Sequence, residues 1–175
     1  YSTNTGTCDG DGDGVLTLNA TLGETFRFWQ QLSLAGLLEG SYTGAPDCAS
    51  MSFGTPADRC TTFGVNTPAS KLTDAGWAAI NFGRQTGQAW IWDGEYGNSF
   101  MVGRIDGQGD LPESPALTPQ EAYNVDRKLD DGLIQHGFVR GHKVVGCATT
   151  TSEATAEYDL SNTGLTCRLL MMSQF

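Results

Sequence analysis

The chain has 175 residues, of which 20 are acidic and 10 basic, giving a formal charge of -10. A nucleic-acid backbone or an anionic bilayer would repel such a protein, which argues against both as partners. Only 17% of residues are charged, against roughly 25% in an ordinary soluble domain, while glycine reaches 23 and the apolar share is 39%.

That composition suits one domain with a substantial core, many turns and few long helices. No run of about eighteen apolar residues occurs, so no membrane span is expected within the chain. The chain opens on Tyr1 with neither Met nor a leader, which reads as the product of processing or trimming.

Residues 1–20 form an acidic Gly/Asp loop containing Asp9-Gly10-Asp11-Gly12-Asp13-Gly14-Val15. Calcium is a hard cation that takes about six to eight oxygens, and a DxDxDG loop supplies three carboxylates around a turn that glycine permits. Asp9, Asp11 and Asp13 take the first, third and fifth loop positions, and Val15 offers its carbonyl at the seventh. The twelfth position, where a bidentate Glu belongs, is Ala20; the nearest substitute is Glu24. Without its bidentate ligand the site is expected to be weak, about 0.1–1 mM, which extracellular calcium still fills. A solvated acidic turn without metal is the alternative.

A helix is expected over 21–36. Phe26, Trp29 and Leu32 recur every three residues, with Ala35 extending the stripe. Thr21 and Glu24 have the spacing of a capping box, so Glu24 has two prospective duties. Gly36 supplies the left-handed stop, and Leu37 is placed to pack back on the last turn. Residues 40–75 read as an irregular excursion carrying Cys48 and Cys60, which needs a staple. Short strands are expected at 89–92 and 99–102, joined by the hairpin-like stretch 93–97.

A second helix is expected over 118–131. Thr118 caps it, Pro119 sits where a missing N–H costs nothing, and Glu121 completes the box. Ala122, Val125 and Leu129 form its apolar stripe, and Gly132 ends it. The stretches 138–145 and 165–171 read as strands within a C-terminal region, 138–175. The expected fold is a single α+β domain over 1–175, with helices packed on a mostly antiparallel sheet and long disulfide-stapled loops.

Five cysteines stand at Cys8, Cys48, Cys60, Cys147 and Cys167. None forms a CxxC, and neither His136 nor His142 completes a zinc spacing. Two local pairs suggest themselves, Cys48 with Cys60 and Cys147 with Cys167; with low lysine content they point to an extracytoplasmic protein. Five buried thiols in a cytosolic protein is the competing reading. Catalytic signals are thin: no GxSxG or HExxH accompanies the histidines, and Asp130-Asp131 follows Arg127-Lys128 at a helix end, where charges usually face water. No enzymatic activity is expected. Trp90 and Trp92 share a parity and would offer a sugar-stacking platform if exposed, with core packing the commoner fate.

Several stretches, taken in order, resemble a known family. Cys8-Asp9-Gly10-Asp11-Gly12-Asp13-Gly14 precedes Glu24-Thr25-Phe26-Arg27-Phe28-Trp29, followed by Leu34-Ala35-Gly36-Leu37 and Gly40-Ser41-Tyr42-Thr43-Gly44. Later come Leu117-Thr118-Pro119-Gln120-Glu121-Ala122-Tyr123, Lys128-Leu129-Asp130-Asp131-Gly132, Gly146-Cys147, Tyr158-Asp159-Leu160 and Asn162-Thr163-Gly164-Leu165-Thr166-Cys167. The set resembles the globular headpiece of bacterial type IV pilin-like proteins with a prepilin cleavage and methylation signal, with 45–115 matching poorly.

The resemblance implies a structural subunit of an exported cell-surface filament that assembles with itself and serves adhesion. It also implies a C-terminal disulfide falling on Cys147 and Cys167, and it favours calcium at Asp9, Asp11 and Asp13. Family members carry an apolar N-terminal helix that anchors the precursor in the inner membrane; this chain contains none, so it corresponds to the headpiece or assembles differently. A type II secretion pseudopilin is a close variant. A secreted calcium-dependent glycan-binding module is the rival from another class.

Overall fold

A computed structural model describes residues 10–17, 24–46, 60–105 and 111–173. The elements run α1 (Glu24–Leu34), β1 (Ala75–Asn81), β2 (Arg84–Gln85), β3 (Gly94–Glu95), β4 (Asn98–Arg104), α2 (Pro119–Leu129), β5 (Val139–Gly141) and β6 (Leu169–Met172). The fold is α+β. One antiparallel sheet has the order β1-β4-β6-β5, and β2 pairs with β3 in a two-residue ladder.

Local chemistry sets both helices. In α2 the Thr118 side chain accepts from the Glu121 N–H while the Glu121 carboxylate accepts from the Thr118 N–H, so the expected capping box is present. In α1 the Leu37 N–H bonds the Leu32 carbonyl and the Gly36 N–H bonds the Ser33 carbonyl, with Gly36 at φ 71°. Those two bonds make a Schellman stop. Leu37 does not pack back on the helix as expected, since 76% of it is exposed. Residues 21–23, with the proposed Thr21 cap, lie outside the described residues.

Alternation along the strands sends side chains to two faces. Phe100, Val102, Leu169, Met171 and Val139 share one face by register. Both helices pack there: Phe28 and Trp29 of α1 stack on Phe100, while Ala122 of α2 joins the cluster containing Val102 and Leu169. Met101, Leu170, Ala78 and Ile80 take the opposite face, which Ile91, Tyr96 and Leu111 close from irregular segments. No helix among the described residues is long and apolar enough to cross a membrane.

Several expectations need correction. Residues 60–74 are irregular as expected, with only isolated bridges, but β1 begins at Ala75, where no strand was expected. Residues 89–91 form bends and Trp92 is irregular, because Trp92 turns inward to donate its Nε1–H to the Gly141 carbonyl at 2.9 Å. The C-terminal strands shorten to β5 and β6, with irregular chain between them. In α2, Leu129 is 51% exposed, and the next buried position after Ala122 is Asp126.

Candidate metal centre

The acidic loop folds on itself through aspartate turns. Asp11 Oδ1 accepts from the Asp13 N–H at 3.1 Å, and Asp13 Oδ1 accepts from the Val15 N–H at 2.7 Å. A short side chain bonding the backbone two residues on is the Asx turn, and it needs a permissive residue between and after. Gly14 provides this with φ 80° at the sixth loop position, where a calcium loop bends.

Glu24 closes the loop from the start of α1. Its Oε1 accepts from the Asp11 N–H at 3.1 Å and its Oε2 from the Thr17 N–H at 3.0 Å, in a side chain that is nearly buried. The carboxylate thereby organises the loop, while the expected return to Thr21 falls outside the described residues. Glu24 also lies so close to Gly10 that any Cβ there would collide with Oε1.

Asp11, Asp13 and Glu24 each bring a carboxylate oxygen within 4.8 Å of the others. Each carboxylate keeps lone pairs beyond those given to N–H groups, so the trio could hold a hard divalent cation. The Val15 carbonyl accepts from the Thr17 N–H at 3.0 Å, which ties it into a three-residue turn. Asp9 lies outside the described residues. An open depression of about 650 Å³ adjoins the loop, walled by Gly10, Val15, Arg27, Phe28 and Asn98.

Asn98, at the start of β4, is the residue that sequence reasoning missed. Its Nδ2 donates to the Gly14 carbonyl at 2.7 Å, and its Oδ1 accepts from the Leu16 N–H at 2.9 Å and from Asn81 Nδ2 at 3.0 Å. The loop is thereby moored to the sheet. No local pattern could reveal an anchor 84 residues from its target.

A second acidic group surrounds Asp126, Asp130 and Asp131, whose carboxylates also approach within 4.8 Å. Here the oxygens serve the fold. Asp126 accepts from Tyr158 Oη–H at 2.8 Å and from the Gly132 N–H at 3.1 Å, and Asp130 Oδ2 accepts from the Phe138 and Val139 N–H groups. Burial pushes the Asp126 carboxyl up to about 6, against the pull of the Tyr158 and Gly132 bonds and with help from Asp131 and Asp130. The Tyr158 phenol is raised, by burial first and then by the Asp126 charge.

The remaining candidates separate. Cys147 and Cys167 are bonded, with Cα atoms 4.9 Å apart. Cys60 is also in a disulfide, while Cys48 lies outside the described residues. Trp92 is wholly buried with Lys143 Nζ 5.4 Å from its ring, and the Arg168 guanidinium lies 5.2 Å from the Trp90 ring, so the two indoles form no open platform. His136 is exposed. His142 is half-buried beside Arg168, and burial and then that cation lower it to about 4. Comparison with family models, with curated proteins and with solved structures finds no match for this chain.

Proposed function

We propose that this chain is an exported structural module whose work is mechanical, braced by a disulfide and by calcium at Asp11, Asp13 and Glu24, with Asp9 and the Val15 carbonyl as further ligands. More particularly, it is the headpiece of a type IV pilus or pilus-like surface filament. The observation that carries the reading is the Cys147–Cys167 bond, which closes the segment between β5 and β6 of an antiparallel sheet that packs both helices on one face. That is the arrangement implied by the ordered motif set. Disulfides persist in oxidising compartments, which supports an extracytoplasmic location.

Electron microscopy of native material with antibody against this chain tests the reading: labelled filaments are expected. The reading fails if the chain occurs only as dispersed monomers and its gene encodes no prepilin signal and apolar helix ahead of Tyr1. A type II secretion pseudopilin differs in location, giving a short periplasmic filament in place of a surface one.

A further inference from the structure

Gly14, Val15 and Leu16 run from the acidic loop to the corner of the sheet where β1 and β6 end and β4 begins. Their backbone is held at every step. The Val15 N–H donates to Asp13 Oδ1 at 2.7 Å, the Leu16 N–H to Asn98 Oδ1 at 2.9 Å, and the Thr17 N–H to Glu24 Oε2 at 3.0 Å. The Gly14 carbonyl accepts from Asn98 Nδ2 at 2.7 Å. Two of the carboxylates assigned to calcium, on Asp13 and Glu24, therefore bracket the stretch that Asn98 holds.

The strand ends close on the same asparagine. Asn81, the last residue of β1, donates its N–H to the Leu16 carbonyl and its Nδ2–H to Asn98 Oδ1, both at 3.0 Å. Ser173, just past β6, donates its N–H to the Asn98 carbonyl at 2.8 Å. Strand ends open at far less cost than strand centres, so what holds them sets their local stability.

We propose that residues 14–16 are a strap through which a cation at Asp11, Asp13 and Glu24 controls the opening of this corner. The proposal rests on the calcium reading and adds a regulatory consequence to it. A bound cation fixes Asp13 and Glu24, hence both ends of the strap, so Leu16 cannot leave Asn81 and Asn98 without disturbing a ligand. In the metal-free chain the strap lifts independently, and the ends of β1 and β6 fray with it. An amide senses calcium only if the opening that exposes it also breaks the site. For such an amide, calcium at tenfold above its dissociation constant lowers the opening constant about elevenfold. The coupling is reciprocal, so a chain with its strap undocked binds calcium more weakly.

Amide hydrogen exchange, read residue by residue by NMR in metal-free and calcium-loaded chain, tests this. Calcium should slow exchange about tenfold at Leu16, Asn81 and Ser173. The Thr155 amide, in a remote turn closed on the Ser152 carbonyl, should not respond. In Asn98→Ala, at tenfold above that variant's own calorimetric dissociation constant, the effect should persist at Thr17 but fall below about twofold at Asn81 and Ser173. Its calcium affinity should also be lower than that of the parent. Asn98→Asp, a milder change that keeps the acceptor for Leu16 and loses the donor to Gly14, should fall between the two. Loop amides that respond while Asn81 and Ser173 ignore calcium would overturn the strap and leave the calcium reading standing. An undiminished response at Asn81 and Ser173 in Asn98→Ala would do the same. A parent chain with no calorimetric binding and no amide slowed by calcium overturns both.

Discussion

The Asn98 amide reaches three partners from two other segments, the Gly14 carbonyl, the Leu16 N–H and Asn81 Nδ2. Asn98→Ala removes all three and leaves the loop's N–H and C=O groups without their anchor, at an expected cost of about 1–3 kcal/mol. A denaturant midpoint equal to that of the parent chain would show that the acidic loop holds its place by other means. Asp126 behaves in the opposite sense from most carboxylates. Its folded carboxyl is raised from 3.8 to about 6, first by burial, so the native state binds the proton more tightly than the unfolded chain. The associated stability is fully present below about pH 4 and is lost as pH rises through about 6. Every tenfold gain in proton affinity on folding is worth about 1.4 kcal/mol, so stability should fall by a few kcal/mol between pH 4 and 7.5, and Asp126→Asn should flatten the profile. A parent chain whose melts show no loss of stability across that window would refute the assignment. Neither residue was legible in the sequence. The stripe through Ala122, Val125 and Leu129 marks the right helix, but the polar Asp126 takes the buried place because Tyr158, 32 residues on, supplies its hydroxyl.

Both helices were legible because their signals are local: a capping box at Thr118 and Glu121, and a glycine stop at Gly36. The sheet was less so. β1 reads Ala-Gly-Trp-Ala-Ala-Ile-Asn, whose small residues carry little strand propensity; its register against β4 and its burial make it a strand. The stretch Ala89–Trp92 has the stronger strand composition, yet it bends, since Trp92 is fixed by the Gly141 carbonyl and Tyr96 Oη–H donates back to the Trp92 carbonyl at 3.0 Å. Tertiary partners override composition there. The chain between β5 and β6 carries the bond between Cys147 and Cys167, both wholly buried, together with isolated bridges in place of a continuous ladder. Its closure over a separation of 20 residues stabilises by about 3 kcal/mol in the chain-entropy account. Replacing both cysteines with Ala should therefore lower unfolding free energy by about that amount. A loss below about 1 kcal/mol would place the stability of this loop in its hydrogen bonds to Gly146 and Leu117 instead.

Across the whole molecule, the surplus of ten negative charges sets how the protein responds to ions. Monovalent salt screens repulsion over a Debye length of about 8 Å at physiological strength and should stabilise the chain modestly. A cation held by Asp11, Asp13 and Glu24 would act differently, because it would bind only where the Asx turns, Glu24 and Asn98 gather the oxygens. Calcium at tenfold above its dissociation constant would add about 1.4 kcal/mol to folding, and chelator should remove it. Asp11→Asn keeps the shape of the turn while removing one charge, so its melting temperature should no longer respond to calcium, though it should still rise with sodium chloride. Gly10→Ala makes the same test through geometry, since the added methyl displaces Glu24 Oε1 and leaves every aspartate in place. Magnesium demands a tighter octahedral shell and gives up water reluctantly, so at matched ionic strength it should stabilise less than calcium. Equal melting temperatures in magnesium, calcium and sodium would assign the whole effect to screening and leave the loop a solvated turn.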